Sequence, residues 1–386
     1  MIKSIVAHTI ETTDLDYAIE ELNTQINNKG PLLHNTIGLI FCNYEFIESG
    51  LVRELCTRLP FTVLGCSTQI LAVPNAGEEL MLSLMILTSD DVEFHAGVSE
   101  ALVTEDAGPL ENLYGDLTMR GAFTPSLILA FPPMLSGMTG NVSVSILDRI
   151  SGGVPIFGSA AIDITTSLRN PVTIYDGNVY SDRLVMVLLR GNVQPRFFAY
   201  TLPGEPRFSR KFTITEAKRN RILAINGNPA AEFLERLGVI NKGGVEVLYA
   251  FPIVVDYEDG TPPQVFTISR VDPDGSLVSG QDIPPGGTVT IGTISGNLVL
   301  ASTQHIIEQI KTVPEPSVLF LVSCFSRILT LQDSLEEVNL VLKQLRDWPT
   351  PFVFFSSGGE LCPISEKGQD KLINAFHQFT IIACVF

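Results

Sequence analysis

The sharpest chemical signal in this sequence is a run of hydroxyl, glycine and carboxylate residues that follows an apolar stretch. The run is Ser356, Ser357, Gly358, Gly359 and Glu360. Glycine lets a backbone approach a ligand closely, and hydroxyl groups can donate or accept hydrogen bonds. The carboxylate could receive the ammonium group of a ligand, so we predict a ligand-binding role for this run. The alternative is a tight turn that carries an exposed glutamate.

A second candidate lies much earlier in the chain, where three small residues follow another apolar run. These residues are Cys66, Ser67 and Thr68. Their hydroxyl and backbone N–H groups could hold a carboxylate or another anion, especially where a helix begins. A simple turn of small polar residues explains the same pattern equally well.

Arg270 is a third candidate, because it comes late in a predicted strand among apolar and small residues. Its guanidinium could clamp a ligand carboxylate through two parallel hydrogen bonds. Pairing with an internal aspartate or glutamate is the alternative, and we favour that structural role.

Cys324, Arg327 and His377 complete the set of candidate ligand-binding residues. A nucleophilic cysteine needs a base within hydrogen-bond reach. The alternative function is therefore a hydrolase or acyl transferase that uses Cys324 or Cys66 with His377 and Glu360. No spacing signature supports such an enzyme, so we prefer buried, inert cysteines and assign no catalytic residue.

The strands and helices that must position these candidates follow a pattern that occurs three times, over residues 36–67, 126–161 and 317–359. In each copy an apolar run, a loop, a helix-like stretch and a second apolar run follow one another. Continuous apolar runs are typical of buried parallel strands, so each copy predicts a strand–helix–strand unit. Open parallel sheets bind ligands beyond the carboxyl ends of their strands. The predicted fold class is α/β, of the mixed α+β kind, in which repeated units build mixed sheets.

The segments between these copies predict shorter strands and a two-half architecture. Residues 79–88 and 92–98 are predicted to pair with each other, and residues 176–178 predict a hairpin turn. Residues 203–206 contain two prolines and a glycine, which interrupt regular structure. We therefore predict an N-terminal domain over residues 1–205 and a C-terminal domain over residues 206–386.

Composition excludes several classes of partner. The formal net charge of −17, from 25 basic and 42 acidic residues, opposes binding to nucleic acids and to anionic membranes. No apolar run is long enough to span a bilayer, and the first residues do not resemble a secretory signal. The six cysteines lack the spacing of a metal site. We expect a reduced cytoplasmic protein without a metal or another cofactor.

Four short stretches resemble the FIST sensory domain family, in the order of its N-terminal and C-terminal halves. They are residues 65–68, 225–230, 269–277 and 355–363, the last of which is followed by the similar residues 374–380. Two positions depart from the family pattern: Gln69 and Ile70 replace an acidic Gly-Glu pair, and Gln378 replaces an asparagine after His377. We therefore do not assign to this chain any ligand contact that the family pattern would make through the glutamate of that pair or through that asparagine.

This resemblance implies an intracellular sensor of small molecules, with amino acids as the suggested ligands. Family members are often joined to signalling output domains. The two halves account for all of the sequence, so we expect no output domain in it and a separate signalling protein as its partner.

Overall fold

The computed structural model describes residues 2–102, 106–119, 122–135, 140–163, 171–202, 212–240, 251–258, 263–332, 335–365 and 372–386. The helices within these residues are α1 (Leu15–Asn27), α2 (Tyr44–Glu48), α3 (Leu51–Arg58), α4 (Gly108–Met119), α5 (Gly140–Ser151), α6 (Ala230–Arg236), α7 (Gly296–Ile310), α8 (Phe325–Leu331) and α9 (Leu335–Gln344). None of them combines the length and the apolar character needed to cross a bilayer.

The strands of the described residues are β1 (Lys3–Thr9), β2 (Asn35–Cys42), β3 (Val63–Ser67), β4 (Leu71–Val73), β5 (Ala76–Glu78), β6 (Leu82–Ser89), β7 (Glu93–Val98), β8 (Leu127–Phe131), β9 (Ile156–Ser159), β10 (Thr173–Tyr175), β11 (Asn178–Tyr180), β12 (Val185–Arg190), β13 (Arg196–Thr201), β14 (Phe212–Lys218), β15 (Arg221–Ile225), β16 (Asn228–Pro229), β17 (Ile253–Asp256), β18 (Gln264–Phe266), β19 (Ile268–Val271), β20 (Leu277–Ser279), β21 (Thr288–Ile291), β22 (Leu319–Cys324), β23 (Phe352–Ser357), β24 (Glu360–Ser365), β25 (Leu372–His377) and β26 (Thr380–Val385).

Within the described residues these strands form four sheets, and the fold is mixed α+β, as predicted. The first sheet has the order β1-β6-β2-β3-β10-β11, and the second has the order β25-β24-β9-β8-β12-β7. The third sheet has the order β13-β26-β22-β23-β4-β5. The fourth sheet has the order β18-β17-β21-β14-β15-β20-β19, with β16 paired to β15.

The three predicted strand–helix–strand units are present, and each contains a pair of parallel strands. The parallel pairs are β2 with β3, β8 with β9, and β22 with β23. All residues of β3, β8, β9, β22 and β23 are buried, which explains why their sequences are continuously apolar or small rather than alternating. The helix-like stretch of the third copy, which the sequence places over residues 333–348, is α9, with residues 333–334 outside the described residues. Helix α8, which begins directly after β22, was not predicted.

One predicted strand pairing is wrong. Strands β6 and β7 do not pair, because β6 lies between β1 and β2 and has antiparallel partners on both edges. Strand β7 pairs instead with β12 in the second sheet. The predicted hairpin turn is confirmed, since Asp176 and Gly177 have φ values of 46° and 77° between β10 and β11.

The second and third sheets combine strands from both predicted halves of the chain. Strands β24 and β25 extend the sheet of β8 and β9, and β4 pairs with β23. The proposed boundary over residues 203–206 lies outside the described residues. The division at residue 205 therefore stays a prediction.

An aromatic contact joins the three parallel units at the centre of the molecule. Phe41 of β2 stacks on Phe355 of β23 with ring centroids 4.0 Å apart. Phe131 of β8 meets the edge of the same Phe41 ring at 5.5 Å. All three rings are almost completely buried, so each unit places a phenylalanine near the carboxyl end of a strand in one common core.

We predict that Gly65→Ala will destabilise the fold by roughly 1–3 kcal/mol or more, because a Cβ there would have to displace backbone. An added Cβ would lie 1.8 Å from the carbonyl oxygen of Ile40 on β2. Gly115 of α4 has no atom within 4 Å of the same position, so Gly115→Ala should be neutral or stabilising by about 0.5–1 kcal/mol. Urea unfolding midpoints measure both effects, and a wild-type midpoint for Gly65→Ala would contradict the prediction.

Candidate functional site

The carboxyl ends of the three parallel units converge, and their small polar residues form one buried group. We call this group the strand-end cluster. Its members are fully or almost fully buried; they are Cys66, Ser67, Thr68, Ser159, Cys324, Ser356, Ser357 and Glu360. The structure therefore brings together candidate residues that are almost 300 positions apart in the sequence.

Thr68 and Ser356 hold the first and third units together. The Thr68 hydroxyl donates to the Ser356 carbonyl oxygen at 2.7 Å, and the two hydroxyl oxygens are 3.0 Å apart. Ser356 Oγ also accepts from the backbone N–H groups of Gln69 and Ile70 at 3.1 and 3.2 Å. These hydroxyls therefore satisfy the chain's own backbone where β3 leads into β4.

The other serines of the cluster are also hydrogen-bonded within the protein. Ser159 Oγ lies 2.9 Å from Ser357 Oγ, and Ser357 Oγ donates to the carbonyl oxygen of Gly359 at 2.7 Å. Ser67 Oγ accepts from the backbone N–H of Val172 at 3.0 Å. The hydroxyls are thus available to a ligand only if the cluster rearranges.

Glu360 differs from the rest of the cluster, because its carboxyl group is completely buried and neither oxygen makes a hydrogen bond of ordinary geometry within the described residues. Burial raises the pKa of Glu360 well above its usual value. Cys324, Arg327, Ser357 and the backbone N–H of Thr380 lie around the carboxyl group and oppose this rise only in part. Glu360 is consequently a buried acid whose protonated form the fold favours.

The cysteines and His377 do not form a thiolate–base pair within the described residues. Burial raises the pKa of Cys66 and of Cys324, and the neighbouring Glu360 raises that of Cys324 further. His377 Nε2 is 2.9 Å from the carbonyl oxygen of Cys362, and burial lowers the pKa of this histidine. A protonated, buried thiol is a poor nucleophile, so the geometry gives the enzyme alternative no support.

Arg327 is also completely buried, but its guanidinium is already bound by the protein. It forms an ion pair with Glu337 of α9 at 2.8 Å. It also donates to Ser323 Oγ at 3.1 Å, to Ser302 Oγ at 2.9 Å, to Thr303 Oγ1 at 2.8 Å and to the Val299 carbonyl oxygen at 3.2 Å. These bonds fasten α7, α8 and α9 to the end of β22, so Arg327 supports the cluster as part of the scaffold.

Arg270 is not brought to the strand-end cluster. It lies on β19 in the fourth sheet, its side chain is 61% exposed, and its Nε donates to Asp272 at 2.8 Å. Asp272 also pairs with Arg221 at 3.2 Å. This is the internal pairing that the sequence analysis gave as the alternative to a ligand clamp.

Gly358 is the partly exposed residue in the run from Ser356 to Glu360. A Cβ at this position would lie 2.6 Å from the Sδ atom of Met134, whose side chain is 41% exposed. This flexible side chain therefore covers the backbone between the cluster and solvent.

A cleft of about 650 Å³, which we call the β25 cleft, lies on the other side of Glu360. His377 and Gln378 line it, together with residues that the sequence analysis missed, including Asn141, Asp148, Gln281 and Asn374. Glu360 and His377 are directly opposite each other in the β24–β25 ladder, a separation of about 4.5–5.5 Å between Cα atoms. The buried carboxyl is thus one strand away from an open cleft.

Some groups of the β25 cleft have partners within the protein. Asn374 Nδ2 donates to Asp148 at 2.7 Å, and Gln378 Oε1 accepts from the backbone N–H of Thr267 at 2.7 Å. Sequence reasoning missed the cleft because α5, β13, β25 and residues 263–284 form it from distant parts of the chain. The polar residues at 374–378 were the one signal, since they belong to a family-like stretch.

Comparison with known proteins identifies two family models along the chain. The model described as the FIST N domain matches residues 36–228, and the model described as the FIST C domain matches residues 228–363. No curated protein matches the chain. The described residues contain no group of three or more histidine, cysteine, aspartate or glutamate side chains placed to hold a metal ion.

We predict that Glu360→Gln will stabilise the free protein increasingly as the pH rises. A carboxyl with a raised pKa in the folded state gives full stability below the unfolded pKa of about 4.3. That stability is lost as the pH rises toward the folded pKa, by up to about 1.4 kcal/mol per pH unit. Glutamine carries no such dependence, so urea unfolding between pH 4 and 8 should show a widening gap.

The exposed Glu78 provides the control for this pH series. Glu78→Gln should give unfolding free energies that run parallel to the wild-type values. A constant gap between wild type and Glu360→Gln across the pH range would contradict the burial of an uncompensated carboxyl.

We further predict that Arg327→Met will lower the free energy of unfolding by about 3–5 kcal/mol, because it leaves Glu337 buried without its cation. Combining it with Glu337→Leu should recover at least half of that loss, since an apolar pair of similar volume replaces the ion pair. Urea unfolding of the two single variants and the double variant measures the coupling. A double variant as unstable as Arg327→Met alone would show that the ion pair is not the cause.

Proposed function

This chain belongs to the FIST family, and from that premise we propose that it senses a small polar molecule whose ammonium group pairs with Glu360. FIST domains are generally held to be sensory, signal-transduction domains. An amino acid, or a metabolite with the same ammonium group, is the ligand class that the proposal names.

The observation that carries the proposal is the buried carboxyl of Glu360, which makes no hydrogen bond of ordinary geometry within the described residues and is only in part compensated by its neighbours. A buried polar group without a partner costs free energy, and nearly all such groups in proteins are paired with protein, water or a ligand. An ammonium group would donate hydrogen bonds to both oxygens and would favour the ionised carboxylate. The ligand would therefore remove an energetic cost that the free protein carries.

Two surfaces offer a route to this carboxyl. Met134 covers the backbone at Gly358, and His377 separates Glu360 from the β25 cleft. Either route needs a local opening, because Glu360 itself is inaccessible to solvent. The free energy of that opening lowers the apparent affinity for the ligand and links ligand binding to a change of shape.

The proposed signal is this change of shape, passed on to a separate signalling protein. Strand β24, which carries Glu360, pairs with β9 of the second unit, while Cys324 and Ser357 belong to the third unit. A ligand that separates the charged carboxylate from these neighbours shifts the contacts between units. In the proposed mechanism the partner signalling protein distinguishes the arrangement of the units without ligand from the arrangement with ligand.

A thermal-shift screen of the common L-amino acids at neutral pH tests the proposal. A ligand at one hundred times its Kd stabilises a protein by about 2.7 kcal/mol, which raises Tm by several degrees. We expect at least one amino acid to do so, and its deaminated analogue to have no effect. Glu360→Gln should abolish the ligand-induced shift, whereas Glu78→Gln should keep it.

Two results would count against this function. One is a complete absence of stabilisation by any amino acid or by their decarboxylated amines. The other is an equal ligand-induced shift in wild type and in Glu360→Gln, which would place the ligand elsewhere.

A further inference from the structure

A separate cleft of about 530 Å³ lies at the opposite end of β23, where that strand begins at Phe352. We call it the α9 cleft. Its walls are the chain just after α1, the turn between β4 and β5, the exposed side of α9, and residues 345, 346 and 348–352. The strand-end cluster lies at the other end of β23, so the two places do not share residues.

The α9 cleft is lined by cations and not by carboxylates. Lys29, Lys343 and Arg346 line it, and no aspartate or glutamate is among its described lining residues. None of these cations forms an ion pair within the described part of the chain. What distinguishes the cleft is that three cations line it together, since the other lysines of the described residues also lack ion pairs.

Other surface arginines of this protein show the contrast. Arg58, Arg149 and Arg236 each contact a carboxylate at 2.8–2.9 Å. These three arginines each have a carboxylate as a close neighbour. The α9 cleft is a place where positive charge has been left without such a neighbour.

The remaining polar lining residues of the α9 cleft also supply hydrogen-bond donors. Asn75 and Asn339 contribute side-chain amides. Trp348 also lines the cleft, and its indole N–H is buried without an acceptor. Ammonium, guanidinium, amide and indole N–H groups together fit an oxygen-rich anion.

Helix dipoles explain part of this charge but not its arrangement. Lys343 lies in the last turn of α9, where a cation stabilises the helix, and Lys29 follows the end of α1. That effect acts separately at each helix end. It does not account for the position of Arg346 on the same cleft or for the unsatisfied indole of Trp348.

The walls of the cleft are also rigid. Pro74, Pro349 and Pro351 line it, and their fixed φ angles restrict the two loops that carry Asn75 and Trp348. A site that is already formed loses little conformational entropy when a ligand binds.

We propose that the α9 cleft binds a small anion with two or more negative charges, carried by phosphate or carboxylate groups. Two ammonium groups and a guanidinium match such a ligand, and Arg346 can bind either group through two parallel hydrogen bonds. The ligand contacts residues on both sides of position 205, from Lys29 to Arg346. This site is independent of the ammonium site at Glu360 and selects the opposite charge.

Fluorescence offers a direct test, because Trp348 is the only tryptophan in the chain. The full-length protein is titrated with pyrophosphate and, in a second arm, with citrate, each against sodium chloride at equal ionic strength. We expect a saturable change in Trp348 emission with at least one of the two anions. The arm that responds tells whether phosphate or carboxylate is the preferred group.

Charge-matched variants locate the site. Lys343→Gln combined with Arg346→Gln should raise the Kd by about tenfold or more. Arg149→Gln combined with Lys218→Gln removes the same charge from exposed positions elsewhere and should leave the Kd within about twofold of wild type. Lys29→Gln tests the opposite wall separately and should also weaken binding.

Three results would overturn the proposal. They are a response to both anions that matches sodium chloride, the absence of saturation with either anion, and an equal Kd in the cleft variants and the control pair. Circular dichroism and urea unfolding of every variant show that the comparison is made between folded proteins.

Discussion

The packing of three parallel strand pairs onto one buried junction is the constraint on which the rest of this structure depends. Phe41, Phe131 and Phe355 come from different units and form a single aromatic contact. Just beyond these rings, Thr68 bonds to Ser356 and Ser159 bonds to Ser357, so apolar and polar contacts fix the same three strand ends. The residues that the sequence marks as chemical are therefore first of all structural, and any ligand must bind among groups that hold the molecule together.

The sequence predicted the parts of the fold that local patterns determine. Continuous apolar runs identified the parallel pairs, and Asp176 with Gly177 identified a hairpin, because both signals depend on neighbouring residues. The pairing of β6 could not be read in the same way. Its apolar residues are equally suited to any buried position, and the choice between β1, β2 and β7 depends on packing across the whole molecule.

Packing across the whole molecule also decides which of the two arginine candidates and the glutamate are buried, and the local sequence does not show it. Arg270 and Arg327 have similar surroundings in sequence, yet one is exposed on β19 and the other is enclosed by α7, α8 and α9. For Glu360 the sequence allowed a ligand contact or an exposed turn, and the structure buries it completely. Burial was not predictable, because it results from β24 joining β9, a strand some 200 residues earlier.

A comparison of the buried Glu360 with the buried Arg327 supports the proposal of a ligand-binding role for Glu360 and a structural role for Arg327. Arg327 meets a carboxylate and several hydroxyls, so its desolvation is offset within the protein. Glu360 lies nearby with only partial compensation, and the fold tolerates it by favouring the neutral acid. Proteins that break the rule of satisfied buried polar groups usually do so where a binding partner supplies what is missing. In the proposed mechanism an ammonium ligand would supply both the charge and the donors, and the free energy that it relieves would be available to change the contacts between units.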